Sequence, residues 1–233
     1  MFSSLFLIFF IIIIFYSIIF HEVAHGYAAY KNGDNTALNA GRLSLNPISH
    51  IDLIGSIIVP LISYTVFKFP FGWAKPVPYN PNNIKDKKYG ELSVASAGIL
   101  VNFFIAFFAV FLFYIIKYLG FLNPDIFSIL QLITSVNLFL GLFNLLPFPP
   151  ADGFSIFSEL FIHFKRFMFK MRSFFSKKKE SQVIYIENRG KMFHVKHLFS
   201  NPIMMIIVIF IAVNIFQILV PYILSFINYL YSF

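Results

Sequence analysis

Cysteine is absent from the chain. Disulfides and thiolate metal ligands are therefore excluded, and any metal site must be built from His, Asp or Glu. Charge is scarce too. Only 12% of the 233 residues are Asp, Glu, Lys or Arg, against 58% hydrophobic. A soluble domain of this length has too much surface to be covered by so few charged groups. Acidic residues are fewer than basic ones, 10 against 18, for a net charge of +8. Beside long apolar runs, Lys and Arg report loop topology first, so nucleic acid is not an expected partner. No Lys or Arg precedes Lys31. The first apolar run thus lacks the basic start of an ordinary signal peptide, and it is also too long for one.

What remains is hydrocarbon in long runs, the mark of a polytopic membrane protein. The expected architecture is all-α, with about four transmembrane helices, a re-entrant hydrophobic segment and a short β-strand element after helix 1. Helix 1 is predicted over 2–30. The Asn- and Gly-rich stretch "KNGDNTALNAGRLSLNPISH" is read as loop with one or two short strands. Segment 51–67 is apolar but short and contains Pro60. A second long helix is predicted over 91–119, and a third from Asp125 onward, broken by prolines at 147, 149 and 150. Residues 165–196 carry ten Lys or Arg against two Glu, which reads as a basic cytoplasmic loop at about 165–200. A last apolar stretch covers 202–232. The whole of 1–233 is expected to form one membrane domain.

The chemistry is concentrated in "FHEVAHGYAA", at the end of helix 1. His21-Glu22-Val23-Ala24-His25 is HExxH. Residues four apart lie on one helix face, so two histidines can share a zinc. The adjacent Glu22 is placed to act as a general base toward water. Ionisable groups on a membrane helix are costly and mark function. A catalytic zinc usually takes a third protein ligand and leaves one position open. Asp152, in the Pro-broken "NLLPFPPADG", is the strongest candidate; it could also cap the helix that follows. His50 and Asp52 read as structural, His194 and His197 as loop residues. Asn137, seven residues before Asn144, reads as a helix–helix hydrogen-bonding residue.

HExxH on an early membrane helix, with "NLLPFPPADG" on a later one, resembles the site-2 protease family of intramembrane zinc metalloproteases. "GRLSLNPISHIDLIGSIIVP", "FGWAKPVPYNP" and "ASAGILVN" are similar to stretches of its compact bacterial members, which lack a PDZ domain. The resemblance spans about residues 15–160. It implies His21, His25 and Asp152 as zinc ligands and Glu22 as general base. Asn144 would lie near the site, and Asn102 could bind substrate backbone or an oxyanion. Two positions depart from the family pattern: Ile99 stands where Pro is usual and Phe154 where a second Gly is usual. The implied activity is hydrolysis of peptide bonds within or near transmembrane segments of membrane-protein substrates. The implied location is the bacterial cytoplasmic membrane, among lipid, with the active site toward the cytoplasm. An unwound substrate could pair with an edge strand at 36–46. A zinc transporter would use the same ligands but would need no base at Glu22. A catalytically dead scaffold of the same fold would not need the intact motif.

A shared zinc also constrains topology. His21 and Asp152 each fall near the exit of their helices, so helices 1 and 3 should run in the same direction. The basic clusters at 85–88 and 165–196 place the exit of helix 3 in the cytoplasm. Segment 51–67 should then enter the membrane without crossing it, as a hairpin broken at Pro60.

Overall fold

The computed structural model describes residues 4–67, 74–149, 151–176, 214 and 218–232. Its long helices are α1 (Ser4–Lys31), α4 (Gly90–Tyr118), α5 (Pro124–Asn144) and α6 (Asp152–Ser176). The short ones are α2 (Thr36–Asn39), α3 (Val59–Phe67) and α7 (Ile218–Leu230). Met1–Leu142 with Ile223–Phe233 form one compact unit, and Phe143–Tyr222 form another.

Three of the described helices, within α1, α4 and α5, are long and apolar enough to cross a membrane. Their outward faces carry Leu7, Ile11, Phe104, Phe107 and Phe111, which hydrocarbon tolerates and water does not. The chain is an integral membrane protein. The expectation of about four spanning helices is corrected to three among the described residues. Within the fourth expected stretch, α7 is a short apolar helix, and residues 202–213 lie outside the described residues.

The expected β-strand element is also corrected, since no strand occurs among the described residues. Asp34 Oδ1 accepts from the Thr36 backbone N–H (3.1 Å) and hydroxyl (2.5 Å), which starts a helical turn where alternation suggested a strand. Gly41, at φ +64°, ends that turn with Arg42 N–H on the Ala37 carbonyl. Edge pairing of a substrate with 36–46 falls with the strand.

Glycine stops the long helices in the same way. Gly33 (φ +96°) and Gly120 (φ +75°) follow α1 and α4. Asp34 N–H reaches back to the Ala29 carbonyl and Phe121 N–H to that of Ile116. Both are Schellman closures that satisfy terminal carbonyls.

Segment 51–67 differs from a hairpin broken at Pro60. A π-helical stretch, Leu53–Ile58, runs directly into α3, and Pro60 lies inside the helical run. The wide turn before Pro60 accommodates a residue that has no N–H to donate. Asp52 caps this run by accepting from Gly55 N–H, 3.1 Å. The helical run is too short to cross roughly 30 Å of hydrocarbon.

In the first unit α1 packs along α4. Phe113, Phe127 and Tyr231 form a ring cluster with centroids 4.6 to 5.9 Å apart. Nearby, Tyr114 Oη donates to the Leu230 carbonyl, 2.7 Å. The second half of α1 is overlaid by an extended segment, 74–80. Arg42 Nη2 donates to the Lys75 carbonyl (2.6 Å), and Asn80 N–H donates to Asp34 Oδ2 (2.6 Å). Gly26 permits this approach: a Cβ there would lie 2.6 Å from Val77 and 2.7 Å from Leu43.

In the second unit, α5 has ended at Asn144 and α6 begins at Asp152. Gly153 backs onto the Leu145 carbonyl so closely that no Cβ would fit. The basic loop expected at about 165–200 begins as helix, because α6 continues to Ser176. Residues 177–213, with His194 and His197, lie outside the described residues.

Candidate metal centre

His21 is buried and His25 half-buried, one turn apart on α1. Their rings meet edge to face, with centroids 4.7 Å apart. Each ring is held from behind. His21 Nδ1 lies 2.6 Å from Asn102 Oδ1, and His25 Nδ1 lies 2.7 Å from the Val94 carbonyl, both partners being on α4. Those partners are oxygens with no proton to give. Each neutral imidazole must therefore carry its proton on Nδ1 and present a lone pair at Nε2.

The two Nε2 atoms lie 3.1 Å apart. Two lone pairs at that distance repel unless a cation joins them. Nitrogens on a tetrahedral zinc with bonds of about 2.0–2.1 Å would stand about 3.3 Å apart. Donor type, tautomer and spacing all suit such an ion, and partners on the far ring nitrogens are the usual way ligand histidines are oriented.

Space for the ion is provided by α4. A Cβ on Gly98 would fall 2.5 Å from His25 Nε2 and 2.6 Å from His21 Nε2. Any side chain at 98 would occupy the point where the lone pairs converge. An isolated helical glycine reads from sequence only as a packing position, so this role was not legible there.

Glu22 is half-buried beside His21, and its Oε2 accepts from the Val77 N–H of the overlying segment, 2.9 Å. That contact gives "AKPVPYN" a local purpose, orienting the carboxylate. The sequence showed the motif but not this partner. Asn102 is fully buried between α1 and α5, with its oxygen on His21 and its Nδ2 donating to Asn137 Oδ1, 2.9 Å. Asn144 is the last residue of α5 and Asp152 the first of α6, both half-buried and both in the second unit. His50 is buried with Nε2 on the Ser44 carbonyl, 2.7 Å, where it shapes the turn into segment 51–67.

A membrane-length helix bearing paired histidines and a neighbouring glutamate is a candidate metal centre of the HExxH class. Over 155 residues the chain is 37% identical to a Bacillus subtilis (strain 168) protein named "Putative zinc metalloprotease YwhC". The match covers 64% of this chain and 68% of that protein. No family model matches the chain, and no solved structure matches it. The chain belongs to the site-2 protease family.

Proposed function

We propose that this chain is a zinc-dependent intramembrane endopeptidase of the bacterial cytoplasmic membrane. It would cut membrane-protein substrates within or near their transmembrane segments, from the cytoplasmic side. One observation carries the reading: two Nε2 lone pairs converge beside a glutamate on a membrane-length helix. The relative named as a zinc metalloprotease supports the choice of metal and reaction.

His21, His25 and Asp152 hold the metal in this proposal, and Asn144 borders the site. When bound, zinc supplies Lewis acidity, polarising the scissile carbonyl and making water easier to deprotonate. The Glu22 carboxylate takes a proton from the attacking water and delivers it to the leaving amine nitrogen as the C–N bond breaks. The Val77 N–H holds one carboxylate oxygen, so the proton moves along a fixed direction. Substrate helices must unwind locally, because a helix ties up its carbonyls in hydrogen bonds.

The test is cleavage of a tagged membrane substrate by the purified chain in detergent. Activity should vanish on treatment with a zinc chelator and return on adding zinc. Cleavage that persists through complete metal removal would end the reading.

A further inference from the structure

We propose that Asn137 is a positioning residue that fixes the tautomer of His21 through Asn102. The inference rests on the reading of His21 as a metal ligand.

A hydrogen-bonded chain crosses three helices. Its members are Ser17 and His21 on α1, Asn102 on α4 and Asn137 on α5. Asn102, Asn137 and Ser17 are 0%, 0% and 4% exposed. Ser17 Oγ donates to the Ile13 carbonyl, 2.7 Å. With its proton committed, that hydroxyl accepts from Asn137 Nδ2, 3.0 Å. The second Nδ2 proton goes to the Ile133 carbonyl, 2.9 Å. Two carbonyls that can only accept thus orient the Asn137 amide. Its Oδ1 must face Asn102, whose Nδ2 donates to it at 2.9 Å.

The consequence reaches the site. An Asn102 amide held by its nitrogen presents its oxygen to His21 Nδ1. That oxygen accepts, so His21 is protonated at Nδ1 and keeps its Nε2 lone pair for the metal. A reversed Asn102 would put an N–H against Nδ1 and drive the proton to Nε2, where it blocks ligation. A low-dielectric interior makes reversal expensive, because every member of a buried chain must then find a new partner. Helix–helix adhesion alone would not require this polarity.

The experiment combines ¹⁵N-histidine spectra of the metal-free protein with zinc affinity by chelator competition. A His21→Gln chain assigns the signal. Wild type should show His21 protonated at Nδ1. Asn137→Leu should populate the Nε2–H form and lower zinc affinity roughly 10- to 100-fold, the usual cost of losing a ligand's outer partner. Asn137→Asp keeps an acceptor toward Asn102 and should restore the tautomer. Ser17→Ala should change little, since the Ile133 carbonyl still orients Asn137. A wild-type His21 protonated at Nε2 overturns the inference, and it needs no variant to fold. So does an Asn137→Leu chain that keeps both the Nδ1–H form and full zinc affinity. Tautomer control that responds to Asn137 in a chain binding no zinc would support the positioning role and sink the zinc reading.

Discussion

His21 and His25 were legible as a candidate ligand pair because HExxH carries its own geometry: two like donors four apart on one face. What completes the centre is spread over other elements and has no local signature. Gly98 contributes an absence of atoms, and the Val94 carbonyl contributes backbone. Gly98→Ala should leave the helices intact but lower zinc affinity by at least about tenfold, because the added carbon displaces oriented ligand nitrogens. Circular dichroism and metal analysis of the same preparation check it; an alanine chain with full zinc would show that the rings have room to shift. The third ligand is tested by contrast. Asp152→Ala should lose zinc, whereas Asp52→Ala, which removes the cap on Gly55, should retain it. Metal content of each purified variant decides, and loss confined to the Asp52 variant would mean the wrong carboxylate was chosen.

At the scale of elements, the ends of α1 and α4 were readable from glycines at 33 and 120, where a positive φ closes each helix. Residues 36–46 were not. Their alternating apolar pattern has the period of a strand, but Asp34 captures the Thr36 N–H and commits the chain to a helical turn. The same carboxylate accepts from Asn80 N–H and Asn83 Nδ2, tying the segment over Glu22 to the end of α1. Burial raises the Asp34 pKa, yet hydrogen bonds from Thr36, Asn80 and Asn83 outweigh it and hold the value below the ordinary carboxylate range. A depressed folded-state value stabilises the fold above the unfolded pKa and is lost as pH falls through the folded one. The clasp should therefore hold at neutral pH, begin to weaken as pH falls below the unfolded value of about 4, and be lost as pH passes the lower folded value. Asp34→Ala should cost about 1–3 kcal/mol by stranding the half-buried N–H groups of Thr36 and Asn80, and should flatten the acid limb of a melting-temperature profile followed by circular dichroism. An unchanged limb would place the acid sensitivity elsewhere.

For the whole molecule, apolar run length announced a membrane protein directly, but the number of crossings did not follow from it. Segment 51–67 is as apolar as a spanning helix, and its shortness is visible in the sequence, but the π-helical stretch that carries the helical run through Pro60 appears only in three dimensions. If it enters without crossing, the loops on either side of it share one face of the membrane. The native chain has no cysteine, so single cysteines at Asn35, Asn82 and Phe121 can be labelled in intact cells with an impermeant thiol reagent. Phe121 should label from outside, while Asn35 and Asn82 should label only after the membrane is opened. Labelling of Asn35 from outside with Asn82 protected would mean that the segment crosses, and His21 could not then share a metal with Asp152.

The central claim is that Glu22 acts as base without holding the metal, and Glu22→Gln separates those roles directly. The purified variant should carry the zinc content of wild type and lose cleavage of a membrane substrate by about 10²–10⁴-fold. Near-normal turnover with zinc in place would contradict the account.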